Sequence, residues 1–196
     1  MAGTFTKLGV ADLETVVSRA ALPAEAEAAL QGCTEIGDAL DRLEAAGFAA
    51  EAVRVLAHAL PKREGVWWAC MCATNTAPPD LSEADQLARE GAELWVRQQK
   101  DDVRRAAMGH AEAAGFMSAE AWTAIAAFWS GDSIAPQGQP PTPPLPEQTG
   151  TAVAAAVTLA SVRGDGKLFA ARLKRFLDSG RDIGSGGFGR MQPEAG

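Results

Sequence analysis

Apolar side chains recur every three or four residues along most of the chain, which is the period of an amphipathic α-helix. Alternation with a period of two, which would indicate β-strands, is nearly absent. The pattern predicts a succession of helices bounded by Gly, Pro or capping residues, at 11–20, 24–30, 34–47, 49–60, 61–75, 82–115, 118–131, 150–163 and 167–182. We therefore expect an all-α fold, either a multi-helix bundle or an array of helical hairpins.

The longest predicted helix covers residues 82–115. Ser82 is typical of a helix N-cap, and the acidic residues after it suit the positive end of the helix dipole. Gly115 is a typical residue to end the helix. The pattern thus favours one continuous helix over the whole of this segment.

Prolines interrupt the helical pattern in residues 132–149. They exclude a helix and favour extended polyproline II geometry, so we expect a Pro-rich strap or spacer. Its PxxP spacings also suit an aromatic groove, either of this chain or of an external partner. The strap divides a helical body, 1–131, from a C-terminal helix pair, 150–183, which we expect to pack on the body or on a neighbouring subunit. The Gly-rich tail, 184–196, is expected to be disordered.

Composition and charge support the predicted fold class and exclude some kinds of partner. Alanine supplies 41 of the 196 residues, and because alanine is the best helix former this strengthens the all-α prediction. The formal net charge of −7 is uneven, since residues 1–150 carry −10 and residues 151–196 carry +3. An acidic body repels phosphate groups, so nucleic acid is not an expected partner. The basic C-terminal helix is expected to dock on the acidic body or on an acidic partner.

Targeting signals and disulfides are also not expected. The N-terminal residues lack the apolar core of a signal peptide, and no apolar run is long enough to span a bilayer. Three cysteines do not make the disulfide framework of a small secreted protein. We therefore expect a cytoplasmic protein without a membrane partner.

The most distinctive segment, residues 61–72, contains the adjacent Trp67 and Trp68. Successive helical residues point about 100° apart, so the two rings cannot enter one small pocket. Either one tryptophan is buried while the other lies in a groove or on the Pro-rich strap, or the helix is central and buried on most sides. The candidate binding residues are Arg63, Glu64, Trp67, Trp68 and Trp129.

Cysteine and histidine do not predict a metal site or a catalytic centre. Cys70 and Cys72 would diverge by about 200° on a helix, whereas structural zinc ligands cluster in turns, so we expect buried thiols. No nucleophile-elbow or metalloprotease motif is found, and His58 and His110 are interpreted as ordinary surface or boundary residues. We expect no catalytic residue, no metal and no cofactor.

The order of these features resembles a bacterial family of small cytoplasmic helical proteins without an assigned function. The resemblance rests on KREGVWWACMC at 62–72, AFWSGDSIAP at 127–136, the Pro-rich strap and the closing helix pair, and covers roughly residues 35–183. It implies an all-α fold and, through a genomic setting near type VI secretion genes, an accessory or adaptor role. It implies no catalytic residues.

Two functions are compatible with these patterns. The first is a non-enzymatic interaction protein with a protein partner: an adaptor or chaperone-like accessory, including one that serves a type VI secretion system. Self-association into a homo-oligomer is left open. The second is a helical small-ligand binder or enzyme with a pocket around Arg63, Glu64, Trp67, Trp68 and Trp129.

Overall fold

A computed structural model describes residues 5–192 and Glu194, and this part of the chain folds into α-helices without any strand. The helices are α1 (Leu13–Ala20), α2 (Ala24–Ala29), α3 (Ile36–Ala45), α4 (Ala49–Ala59), α5 (Lys62–Asn75), α6 (Glu83–Gln98), α7 (Asp101–Ala113), α8 (Ala119–Trp129), α9 (Gln148–Ser161) and α10 (Phe169–Gly184), with a short 3₁₀ turn, Gly166–Leu168, before α10. The all-α prediction is confirmed. None of the helices described is both long and apolar enough to cross a membrane.

Helix α9 lies at the centre of the fold and packs against α4, α5, α8 and α10. It has no charged residue, and its buried positions carry small or β-branched side chains: Thr149, Gly150, Ala152, Val153, Ala154, Ala156, Val157, Ala160 and Ser161. Small side chains allow neighbouring helix axes to approach closely, so one helix can contact four others. The C-terminal helix pair thus packs on the body of its own chain.

Trp68 joins α10 to the rest of the core. Its side chain is fully buried, and its indole N–H donates to the backbone oxygen of Phe176 at 2.8 Å. Gly180 of α10 lies against the indole, and a Cβ atom there would come within 2.8 Å of the ring. The close approach of α10 to Trp68 therefore requires glycine at this position.

A buried ion pair ties α8 to the chain beyond α9. Glu120, in the first turn of α8, is completely buried and pairs with Arg163. Arg163 also donates to the backbone oxygen of Ala73 in α5 at 3.0 Å. Because removal of Arg163 would leave the carboxylate of Glu120 buried and without its ion-pair partner, the pair holds α5, α8 and the end of α9 in one arrangement.

The Pro-rich segment is anchored at its start by two arginines of α7. Arg104, nearly fully buried, donates to the backbone oxygen of Ser133 at 2.8 Å, and Arg105 donates to that of Ala135 at 2.6 Å. Both arginines also pair with Asp101. The segment is therefore fixed to the body by hydrogen bonds to its backbone.

Residues 82–115 form two helices, so the prediction of one continuous helix is wrong. Gln99 adopts the left-handed conformation, with φ of 52°, and its N–H donates to the oxygen of Trp95, which ends α6. Asp101 then begins α7, which folds back so that His110 lies against Gly91. An acidic first turn suits a helix N-terminus, and the hairpin buries the apolar faces of both helices.

The sequence predicts a disordered tail, but its described part, residues 184–192 and Glu194, lies against the body. The hydroxyl of Ser179 donates to the oxygen of Gly189 at 2.7 Å. Glu194 pairs with Arg172 and Arg175 at 2.6 and 2.7 Å, and these bonds lower the pKa of Glu194 to about 2. Residues 193, 195 and 196 lie outside the described part.

The two adjacent tryptophans give a first test of this packing. Trp68→Ala should lower the free energy of unfolding by about 3–5 kcal/mol, because it removes a fully buried indole and leaves a cavity. Trp67 is only half-buried, so Trp67→Ala should cost about 1 kcal/mol. Urea unfolding followed by circular dichroism measures both values, with Trp68→Phe as a milder variant of the core position. Equal losses for Trp67 and Trp68 would contradict the assignment.

Candidate functional site

The structure brings together three of the five candidate residues. Arg63, Glu64 and Trp67 line a cavity of about 300 Å³ between the start of α5 and the C-terminal tail, whose Phe188 forms the opposite wall. The indole N–H of Trp67 donates to the backbone oxygen of Phe188 at 3.1 Å. Trp67 therefore packs on the tail and not on the Pro-rich strap.

Most polar groups of this Trp67 cavity already have partners. Glu64 forms ion pairs with Lys7 at 3.0 Å and with Arg63 at 3.3 Å. The Nε–H of Arg63 also donates to the backbone oxygen of Val96 at 2.9 Å. Arg97, from α6, brings a third basic side chain to the cavity, so its net charge is positive.

Trp68 and Trp129 lie elsewhere. Trp68 belongs to the core, as described above. Trp129, at the end of α8, is half-buried and makes an edge-on contact with Trp122, with ring centroids 6.4 Å apart. Its backbone oxygen accepts a hydrogen bond from Thr149 at 2.9 Å, so Trp129 helps to hold the start of α9.

A larger and more apolar groove, of about 670 Å³, lies between α1, α4, α8 and α9. We call it the α9 groove. Its residues are Arg19, Ala20, Ala21, Arg54, His58, Trp122, Glu147, Thr151, Ala154, Ala155, Thr158 and Leu159. Its volume falls within the range of about 300–1,000 Å³ that is typical of ligand sites.

One stripe of α9 forms the floor of this groove. Thr151, Ala155 and Thr158 recur at four- and three-residue spacing and therefore lie on one face of the helix, next to Leu159. This is the side of α9 that no other helix of the described chain covers. Trp122 of α8 forms one wall, and the end of α1 with α4 forms the other.

Two arginines stand in the wall of the α9 groove without a carboxylate partner in the described part of the chain. Arg54 donates to the backbone oxygen of Ala21 at 2.6 Å, which fixes its guanidinium group at the end of α1. Arg19 lies in the last turn of α1. Glu147, just before α9, also lines the groove but forms no ion pair with either arginine. The groove therefore carries an excess of positive charge at one wall.

His58 is buried between the α9 groove and a smaller cavity of about 140 Å³. Burial lowers its pKa to about 4, and the positive charges of Arg19 and Arg54 add to this effect, while Glu147 opposes it. The expectation of a surface or boundary histidine is thus wrong. The reason is Gly150, since a Cβ atom at this position would collide with the imidazole.

The thiols of Cys70 and Cys72 are unsuited to act as nucleophiles in this fold. Cys70 and Cys72 are buried, and burial raises the pKa of both thiols well above the ordinary value. Cys33 is half-buried. Among the residues that the structure describes, no cluster of three or more His, Cys, Asp and Glu side chains has the arrangement of a metal site.

The α9 groove was not identified from the sequence. One signal was available, because Arg54 and His58 are four residues apart and so share a face of α4. A second was the absence of charge along all of α9, which indicates a helix buried on most sides. Neither signal places Arg19 or Trp122 beside them, since these come from helices distant in sequence.

The chain belongs to a known family. Residues 39–184 match the family model described as "Family of unknown function (DUF6931)". The matched segment runs from α3 to the end of α10, so it contains Arg54, His58 and the floor of the α9 groove but not Arg19. No curated protein and no solved structure matches the chain.

The buried histidine predicts a specific pH dependence of stability. His58 titrates near pH 4 in the folded protein and near 6.5 in the unfolded chain, so the unfolded chain binds the proton first as the pH falls. The contribution of neutral His58 to the free energy of unfolding is therefore complete above pH 6.5 and is lost as the pH falls from 6.5 through 4. A pKa shift of this size corresponds to a decrease in the free energy of unfolding on the order of 3 kcal/mol.

Unfolding by urea at a series of pH values measures this effect. His58→Gln removes the titration, so the difference in unfolding free energy between wild type and variant should change between pH 6.5 and 4 and be constant above. His110→Gln is the control, because it replaces the other histidine, outside the groove. Parallel pH profiles of wild type and His58→Gln would contradict the burial of a neutral imidazole.

Proposed function

We propose that this chain is a non-enzymatic interaction protein that holds a segment of a protein partner in the α9 groove. The observation that carries the proposal is the groove itself, an apolar channel with two arginines that have no ion-pair partner among the described residues. A soluble protein rarely leaves a continuous apolar concave surface exposed unless something binds there. In this role the chain is an adaptor or a chaperone-like accessory.

The position of the groove on the central helix supports a built binding surface. Its floor is part of the central helix, so it is held by the same contacts that hold the core. Trp122 offers a large apolar ring at the wall, and tryptophan and arginine are enriched among the residues that contribute most to protein interfaces. A rigid groove also lowers the entropy cost of binding, since few side chains must be ordered.

We place this role in the cytoplasm, at a type VI secretion system. Support comes from the resemblance of the KREGVWWACMC and AFWSGDSIAP segments to a family with that genomic setting. An adaptor in this setting would hold a secreted protein or a component of the secretion apparatus before assembly. The partner would then carry an exposed apolar segment that the groove protects.

A second candidate function is the binding of a small organic anion in the Trp67 cavity. It is favoured by the charge of that cavity, whose lining contains Lys7, Arg63 and Arg97 but only one carboxylate, that of Glu64. The ring of Trp67 offers an apolar surface beside these charges. This candidate requires no protein partner.

Blocking the groove tests the first proposal. Ala155→Arg places a long charged side chain on the floor of the groove, where Ala155 is only partly exposed. Val162→Arg is the matched control, since Val162 is half-exposed just after the same helix and lies outside the groove. Tagged wild-type and variant chains are expressed in the native host, cross-linked and purified, and the bound proteins are quantified by mass spectrometry.

We expect one protein to co-purify in near-equal amounts with the wild type and with Val162→Arg. Its recovery with Ala155→Arg should be lower by about tenfold or more, because the loss of a well-packed apolar contact at an interface weakens binding by about this factor. Equal recovery with all three chains would exclude the groove as the binding surface. Light scattering of the purified chain shows whether the partner is a second copy.

Thermal unfolding with added ligands tests the second candidate. Adenosine monophosphate, pyrophosphate and salicylate serve as probes, because they vary the aromatic and anionic parts separately. A ligand at about 100 times its dissociation constant adds about 2.7 kcal/mol of stability. We expect a rise in melting temperature that Arg63→Gln abolishes and that Arg42→Gln, at a residue that does not line the cavity, leaves unchanged. An absence of shift with all three probes would argue against an anion site.

A further inference from the structure

We propose that the α9 groove recognises an acidic amphipathic helix: the apolar face of the partner helix lies on α9, and a flanking Asp or Glu pairs with Arg19 and Arg54. This inference rests on the proposed function and specifies the chemistry of the partner segment.

The floor of the groove favours a helix over an extended segment. An extended peptide needs hydrogen-bond partners for its own N–H and C=O groups, but the backbone of α9 is already bonded within the helix. The interior of a helix satisfies its own backbone groups, so it needs no hydrogen-bond partners from this floor. Helix-in-groove recognition also uses apolar contacts at three- and four-residue spacing, which is the spacing of Thr151, Ala155 and Thr158.

The size of the side chains on the floor supports the same occupant. Alanine and threonine leave room for a partner helix to approach α9 closely, while Leu159 and Trp122 provide larger apolar surface beside them. The lining positions of α9 run from Thr151 to Leu159, which is about 12 Å along the helix axis. This length matches about two turns of a partner helix.

Charge complementarity argues for an acidic flank. Arg163, Arg172, Arg175 and Arg181 all pair with carboxylates of this chain, whereas Arg19 and Arg54 pair with none among the described residues. The hydrogen bond from Arg54 to Ala21 uses part of its guanidinium group and leaves other N–H groups available. An Asp or Glu of the partner would receive charge-assisted hydrogen bonds at this wall.

His58 and Glu147 affect where the acidic flank of the partner helix can lie in the groove. His58 is 7% exposed and makes no hydrogen bond to the described residues, yet its imidazole borders the groove together with the two arginines. Lys62 lines the smaller cavity on its other side. Glu147 repels a second carboxylate near the start of α9. The acidic flank of the partner is therefore expected to face α1 and α4.

Selection from a displayed library of helix-forming peptides tests the proposal with the full-length chain. Peptides are selected on the wild type after removal of those that bind Ala155→Arg. We expect the selected peptides to show apolar residues at three- and four-residue spacing with an adjacent Asp or Glu. Selection of basic, uncharged or proline-rich extended peptides, or no enrichment over Ala155→Arg, would overturn the proposal.

Affinities of one selected peptide then test the arginines. Arg19→Gln and Arg54→Gln should each weaken binding about tenfold. Replacing the acidic residue of the peptide by its amide removes both ion pairs, so it should weaken binding to the wild type as much as the Arg19→Gln/Arg54→Gln double variant does and leave binding to the double variant unchanged. Arg42→Gln is the matched control, because Arg42 also donates to a backbone oxygen, that of Gln31, but lies outside the groove. A tenfold loss of peptide affinity in Arg42→Gln would overturn the assignment of the arginines. The fatty-acid anion decanoate tests for a lipid site, and displacement of the peptide by decanoate with an affinity equal to that of the peptide would also overturn the assignment.

The outcome also separates this inference from the proposed function. If the protein captured from the host is lost with Ala155→Arg but retained by the Arg19→Gln/Arg54→Gln variant, the groove binds a partner and the carboxylate recognition is wrong. If capture is unaffected by Ala155→Arg, the proposed function itself is wrong.

Discussion

The close approach of α9 to its neighbours is the constraint on which the rest of the fold depends. Four helices contact α9, and they can do so because its buried side chains are small and uncharged. Gly150 lets the imidazole of His58 lie against the α9 backbone, because a Cβ atom at this position would collide with the ring. A larger side chain at such a position would displace one helix from α9. The displacement would also shift the other helices around α9, because protein interiors are close-packed.

The α9 groove is a consequence of the same arrangement. A helix that is uncharged all round is suited to complete burial, yet one stripe of α9 remains uncovered between α1, α4 and α8. Trp122 and two arginines lie around that stripe, and His58 lies beside it with a lowered pKa. In the Trp67 cavity, by contrast, the polar groups largely satisfy one another. This difference is why the groove carries the proposed function.

Particular elements show where reasoning from sequence succeeds and fails. The helix after Pro61 was predicted well, because its start follows from proline geometry and its end from the prolines at 78 and 79. The break at Gln99 was missed, because no glycine or proline marks it and the left-handed turn is stabilised by the packing of α6 on α7. The contacts of the tail could not be predicted, because they involve Trp67, Arg172 and Arg175, which are distant along the chain.

The sequence by itself determined the all-α class and most helix boundaries, because these follow from local periodicity and alanine content. The angle between successive helical residues showed only that Trp67 and Trp68 cannot enter one small pocket. Tertiary structure alone decided which tryptophan enters the core, why His58 is buried and where an open groove remains. Those outcomes depend on contacts between α1, α4, α8, α9 and α10, whose geometry is set by side-chain volumes summed over several helices. The hydrophobic periodicity of one segment does not indicate which helices pack against it.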